Sequence, residues 1–257
     1  MLYLIGLGLN AKGISQHGLE IVKRCKKVYL EGYTVDFPYS NQELQDVIGK
    51  KFAIAGREKI ESFEIVDEAK KLDVALLVYG SPLTATTHIS LVYEAKKSRV
   101  KCRVIYSASV LDAVAETGLQ IYKFGKITSL PEFEADSFID VVRENQSINA
   151  HSLILVDIGL ELENALEKIE RAANKKGIKL NRIILCQGLG TKHKKIIYDR
   201  IENLKELRAK MPFCIIIPSK LHFVEKEILE GFGSKVISGS EKTYLKNRNS
   251  LNKNAGH

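Results

Sequence analysis

From Leu2 onwards, short apolar runs rich in Val, Ile, Leu and Tyr alternate with amphipathic segments, and the alternation continues along most of the 257 residues. Runs of that length suit buried strands, and apolar spacings of three and four suit helices with one buried face. Leu2–Leu7, Val28–Leu30, Phe52–Ala55, Asp73–Tyr79 and Cys102–Tyr106 read as strands. Between them, Ser15–Lys27, a short helix opened by Ser40 with Glu43 three residues on, Ser62–Lys71 and Thr84–Lys97 read as helices. Ser109–Thr117 opens a further helix, with Asp112 three residues after Ser109. In the second half, Leu153–Asp157, Ile183–Cys186 and Cys214–Ile217 read as strands. Phe138–Glu144, Leu162–Asn174, most of the basic stretch to Leu207, and Phe223–Phe232 read as helices. This pattern predicts an α/β chain of mainly parallel sheets with helices packed outside them. Periodicity weakens from Glu116 to Gln146, which places an N-terminal α/β domain over 1–112 and a C-terminal α/β domain over 113–257. A polar tail is expected from about residue 234.

A composition of 45% hydrophobic and 27% charged residues excludes wholesale disorder, a collagen-like repeat and a coiled-coil rod. Thirty-nine basic against 31 acidic residues give a formal charge of +8, which draws acidic partners without naming one. The basic run Lys192–Lys195 has no interleaved aromatics, so no nucleic-acid partner is expected. Cys25, Cys102, Cys186 and Cys214 are far apart, which excludes zinc-ligand spacing, and no metal site is expected. Three of the four lie in or beside apolar runs, where a thiol behaves as a small hydrophobe. Met1–Gly6 lacks the charged start and cleavage site of a secretory leader, and no apolar run approaches the ~20 residues of a membrane span. A cytoplasmic, reduced protein without a membrane partner is expected.

Three loops follow strands and are rich in small residues. Gly6-Leu7-Gly8-Leu9-Asn10-Ala11 fits the G-x-G-x-x-A spacing of a dinucleotide loop, with Glu31 at the end of the next strand. Lys12, Gly13 and Ile14 still intervene before Ser15, whereas a dinucleotide-binding helix begins inside the glycine motif. The loop therefore reads as a plain turn or as a different cofactor loop. Gly80-Ser81-Pro82-Leu83-Thr84-Ala85-Thr86-Thr87-His88 leaves the strongest strand of this half, and its threonines are expected at a helix N-terminus, which favours anions. Ser107-Ala108-Ser109-Val110-Leu111-Asp112 has Ser109 placed as a helix cap. In a parallel sheet all three loops share the rim where ligands gather.

Leu2–Leu9 (LYLIGLGL), Gly80–His88 (GSPLTATTH), Ser109–Pro131 (SVLDAVAETGLQIYKFGKITSLP) and Pro218–Glu225 (PSKLHFVE) together resemble the diphthine synthases, a branch of the tetrapyrrole methylases. The resemblance runs over nearly the whole chain, and the Gly118–Lys126 stretch carries it away from corrin methylation. It implies two α/β domains with a cofactor cleft between them, a homodimer, and S-adenosylmethionine as cofactor, with S-adenosylhomocysteine as product. The implied cofactor contacts are Leu9, Ser81, Thr84, Ser109, Val110, Val156, Leu189 and Phe213. The implied substrate is translation elongation factor 2, whose modified histidine carries a 3-amino-3-carboxypropyl group that is methylated on its amine. Two departures stand out. Ser81 occupies a position where the family usually has Asp, and Gln187-Gly188-Leu189-Gly190-Thr191 replaces an Ala-Arg-Ala-Gly-Ser-like turn. Methylation of a tetrapyrrole or corrin carbon, cofactor binding without turnover, and an NAD-linked oxidoreductase resting on Gly6, Gly8, Ala11 and Glu31 are the other readings. No catalytic residue is assigned. His88, Glu116, Asp157 and His222 are polar candidates, each read as structural.

Overall fold

Residues 1–233 are described by a computed structural model, and the tail expected from about 234 lies outside the described residues. The first sheet holds β1 (Leu2–Gly6), β2 (Lys27–Glu31), β3 (Ala53–Ala55), β4 (Val74–Val78) and β5 (Cys102–Ile105), all parallel, in the order β3-β2-β4-β1-β5. Its centre is dry because LYLIG and VALLV are apolar at every position, as a strand covered on both faces requires. The period of two then sorts these side chains. Leu2, Leu4, Leu76 and Val78 pack on one face with Ile65, Val66, Leu91 and Ala95, which come from α4 (Glu64–Ala69) and α5 (Ile89–Lys97). Tyr3, Ile5, Ala75 and Leu77 pack on the other with Ile21, Val22, Leu44 and Ile48 of α1 (Gln16–Arg24) and α2 (Asn41–Ile48). Ser15 and Ser40 cap these last two helices, accepting from the Gly18 and Glu43 N–H groups at 3.1 Å.

Two helices differ from the sequence reading. The helix expected over Ser62–Lys71 is shorter, starting at Glu64: Phe63 takes a left-handed backbone (φ 62°), separating α4 from an additional short helix, α3 (Arg57–Glu61). The helix expected from Thr84 begins only at Ile89. Ala85 is left-handed (φ 54°), and the Thr86 hydroxyl donates to the Pro82 carbonyl at 2.7 Å, so the threonines brace a turn and cap no helix.

The second half begins with α6 (Val110–Ala113), which tightens into a 3-10 turn over Val114–Thr117. Then come β6 (Thr128–Leu130), α7 (Ser137–Ser147), β7 (Ser152–Val156), α8 (Leu162–Lys175), β8 (Arg182–Gln187), β9 (Lys195–Arg200), α9 (Ile201–Lys205), β10 (Phe213–Ile217) and α10 (Phe223–Glu230). The sheet order is β6-β7-β10-β8-β9. Only β6 and β7 run parallel; every other pair is antiparallel, which corrects the expectation of mainly parallel sheets for this half. The basic stretch read as helix supplies β9, which pairs with β8 as a hairpin. Alternation again divides the core. Phe213, Ile215 and Ile217 pack with Leu162, Leu166 and Ile169 of α8. Cys214 and Ile216 turn to the opposite face with Cys186, Leu189, Val114 and Leu229. Val110, Leu111 and Ala113 pack against that second cluster, so α6 joins the two sheets.

Candidate functional site

A cleft of about 730 Å³ opens between the two sheets, lined by the exits of β1, β4 and β5 on one side and by β7, β8 and β10 on the other. Leu9, Ser81, Thr84, Ser109, Val110, Val156, Leu189 and Phe213 all line it. Residues up to 204 positions apart in the chain are thus brought to one space. Its size suits a small organic ligand.

The loops are locked to one another by backbone. Gly8 and Gly80 exchange two hydrogen bonds, N to O at 3.1 and 3.0 Å, which zips the first loop to the second. The Ser107 hydroxyl donates to the Gly13 carbonyl at 2.8 Å and ties in the third. Across the cleft, the Asn10 side-chain amide donates to the Gly190 carbonyl at 2.9 Å. Gly190 is left-handed (φ 76°), and a Cβ there would meet the Leu9 Cβ at 2.5 Å. The turn that carries Leu189 therefore needs glycine for both its conformation and its fit against the first loop. At the third loop, Asp112 accepts from the Ser109 N–H at 2.7 Å, and Ser109 Oγ accepts from the Leu111 N–H at 3.2 Å. The N–H groups of Ser109 and Leu111 are thereby spent within the cap, and of this loop's first amides Val110 is the one left to meet a ligand.

The cleft continues beyond the expected residues to Tyr33, Thr34, Arg57, Thr128, Ser129 and Asp157. Tyr33, Thr34 and Arg57 follow β2 and β3, so the same strand-exit rule that marks the first three loops would have found them. Asp157 was among the polar candidates and does line the cleft; His88, Glu116 and His222 do not. Glu31 does not face a nucleotide ribose. It is buried, and its carboxylate accepts from the Thr34 hydroxyl at 2.7 Å and the Tyr33 N–H at 3.2 Å. The helix after the glycine loop starts at Gln16, outside the motif, as the intervening residues predict.

Behind the cleft wall, His88 is fully buried with Nδ1 3.1 Å from the Pro82 carbonyl. Burial lowers its pKa, against the Pro82 carbonyl and the Glu31 charge, so the ring stays neutral near pH 7. Burial also pushes up the Tyr33 and Tyr79 hydroxyls. Cys186 and Cys214 stand opposite each other on β8 and β10, and their mutual hydrogen bond together with burial raises the Cys186 thiol well above its ordinary value. Cys186 therefore stays a thiol, and both side chains serve the cleft as apolar wall. Glu116 pairs with Lys194. His222 caps α10 by accepting from the Val224 N–H, and Glu225 completes the box from the His222 N–H at 2.7 Å.

Residues 1–205 match the family described as Tetrapyrrole (Corrin/Porphyrin) Methylases. The chain belongs to the tetrapyrrole methylase family. Within it, the similarity is to diphthine synthases. The diphthine methyl ester synthase of Schizosaccharomyces pombe is 43% identical over 178 residues, covering 66% of this chain and 62% of that protein. The diphthine synthase of Methanococcus aeolicus is 33% identical over 252 residues, covering 90% and 97%. A crystal structure of a diphthine synthase superposes with a TM-score of 0.84 at 33% identity, over 90% of this chain and 95% of that one. The chain spans about three fifths of the length of the fungal and human relatives it matches. The expected tetrapyrrole methylase fold of two α/β layers is the one observed.

Proposed function

We propose that this protein methylates the amino group of the 3-amino-3-carboxypropyl histidine of translation elongation factor 2, a step of diphthamide biosynthesis, using S-adenosylmethionine and releasing S-adenosylhomocysteine. The observation that carries the reading is the meeting of eight residues from six separate segments on one cleft, in a chain similar to a diphthine synthase over nine tenths of its length. The cleft fits the cofactor. Leu9, Val156, Leu189 and Phe213 offer an apolar wall for a purine, and Ser81, Thr84 and the Val110 N–H offer hydrogen bonds for its polar groups. When bound, S-adenosylmethionine supplies a methyl already activated on a sulfonium. The chain's own contribution is then to hold amine and methyl in line at near-attack distance and to keep water out. The reading includes a cytoplasmic homodimer with a protein substrate, organised as domains 1–112 and 113–257. No described helix is long and apolar enough to cross a membrane.

A second acceptor belongs to the same reading. The relatives at 43–46% identity are named for a methyl ester, so the carboxylate of the same group is a further methyl acceptor. The test is mass spectrometry of modified elongation factor 2 after incubation with the protein and S-adenosylmethionine. Successive gains of one methyl are expected, with one of them removed by mild base. No gain in mass sinks the proposal; gains that are all base-stable remove the ester alone.

A further inference from the structure

The cleft has two ends, set by the order of the strands. The expected cofactor residues follow β1, β4 and β5, neighbours at one side of the first sheet, and in the second sheet follow β8 and begin β10. The remaining wall comes from the exits of β2 and β3 and from β6 and β7, at the opposite edges of both sheets. Val156, at the end of β7, is where the two halves meet.

That second end holds the only charged side chains among the described residues of the lining: Arg57 and Asp157. Arg57 opens α3 just after β3 of the first sheet, and Asp157 directly follows β7 of the second. The Asp157 carboxylate is exposed and has no hydrogen bond or ion pair among the described residues, while its N–H is anchored to the Leu130 carbonyl at 3.1 Å. The Arg57 guanidinium lies 5.0 Å from the centre of the Tyr33 ring, and its one ion pair among the described residues, with Glu61 at 3.7 Å, is long and well exposed. This cation–π contact uses none of the guanidinium N–H donors and leaves them for a planar acceptor such as a carboxylate. One anion and one cation in an otherwise uncharged lining complement a ligand that carries both charges.

We infer that this end of the cleft binds the zwitterionic amino-acid head of the substrate, with Arg57 holding its carboxylate and Asp157 its amine. The inference rests on the proposed function and assigns its substrate contacts. In each transfer the amine gives up its proton to solvent and forms the N–C bond as the sulfonium S–C bond breaks and S-adenosylhomocysteine forms, and Asp157 with the Tyr33 ring suits the methylated ammonium that results.

S-adenosylmethionine carries an amino-acid head too, so the experiment must separate the two. The full-length protein saturated with S-adenosylhomocysteine is offered 2-aminobutanoate, the free form of the substrate head, and binding is followed by saturation-transfer NMR beside butanoate and propylamine. 2-Aminobutanoate is expected to bind and the two singly charged probes to bind about tenfold more weakly. Arg57→Gln and Asp157→Asn are each expected to lose most of the 2-aminobutanoate signal, Arg57→Lys and Asp157→Glu to recover part of it, and all four to keep S-adenosylhomocysteine affinity by calorimetry. Equal binding of the three probes, or variants that bind like the parent, overturns the inference. So does a tenfold loss of S-adenosylhomocysteine affinity, which would assign both charges to the cofactor. None of these readouts needs methyl transfer, so a failure to methylate elongation factor would count against the proposed function and not against the zwitterion site.

Discussion

At Ser81 a hydroxyl, 8% exposed on the cleft wall, stands where the resemblance to the diphthine synthases implies a carboxylate. A carboxylate meeting an ammonium makes a charge-assisted hydrogen bond, stronger than a hydroxyl's by about 1 kcal/mol. Ser81→Asp should therefore tighten S-adenosylhomocysteine several-fold in calorimetry; equal or weaker binding would mean that the loop is built around Ser. Far from the cleft, Glu225 is fully buried, and burial alone would push its pKa up. The Lys123 ammonium, the Gln120 and His222 N–H groups and His151 Nε2 outweigh that and hold it down to about 2. A depressed carboxylate stabilises the fold above its unfolded pKa of ~4.3, and the gain drains away as pH falls towards 2. Glu225→Gln should thus cost about 3 kcal/mol at pH 7. The gap in Tm between the two proteins should close between pH 4.5 and 2; a gap constant with pH would show that the charge is not its source. Sequence could place Glu225 three residues after His222 as a cap. It could not show that Lys123 and His151, about a hundred and about seventy positions away, converge on the same carboxylate.

Elements were legible where local pattern decides them and illegible where a partner does. The centres of β1, β4, β7 and β10 sit within the runs read as strands, because an apolar run needs only burial. Lys195–Arg200 reads as part of a basic helix, yet it forms the edge of the second sheet, where β8 supplies its hydrogen bonds and solvent accepts its charged ends. β6 is three residues long and exists only as a neighbour of β7. The proposed cofactor end of the cleft was visible because its first-sheet loops carry small residues after apolar strands. Of the Arg57–Asp157 end, sequence offered Asp157 as a polar candidate after a strand but did not join it to Arg57, which follows the three-residue β3 and lies a hundred positions away. The turn at Gly190 shows how an element boundary serves the site. Gly190→Ala adds a Cβ at 2.5 Å from that of Leu9 and forces alanine into a left-handed backbone. A loss of about 1–3 kcal/mol of stability and roughly tenfold weaker S-adenosylhomocysteine binding are expected. Unchanged melting and binding would show that the Leu189 turn yields freely and does not shape the cleft.

For the whole molecule the formal +8 matters most, and its distribution decides how. About half of the excess falls in 234–257, where Lys235, Lys242, Lys246, Arg248 and Lys253 outnumber the single acid Glu241. Beside the cleft, Lys192 and Lys195 are exposed after the Leu189 turn, while Lys194 is engaged with Glu116 and contributes less. Steering by such charges acts on the rate of encounter with an acidic protein surface, and it fades as the Debye length shrinks from ~30 Å at 0.01 M salt to ~8 Å at 0.15 M. A small cofactor that reaches its site without long-range steering is far less affected. Methylation of modified elongation factor at low substrate should therefore slow several-fold between those salt concentrations, while S-adenosylhomocysteine affinity changes by less than twofold. Lys192→Glu with Lys195→Glu should lower the low-salt rate and flatten its salt dependence, and Lys194→Glu alone should do less. A chain ending at Gly233 separates the two sources of charge. If it keeps the full salt dependence, the cleft-side lysines do the steering; if it loses most of it, the charge of 234–257 does. A rate indifferent to salt in every one of these proteins would show that docking rests on shape and short-range contacts, with the basic excess playing no part in it.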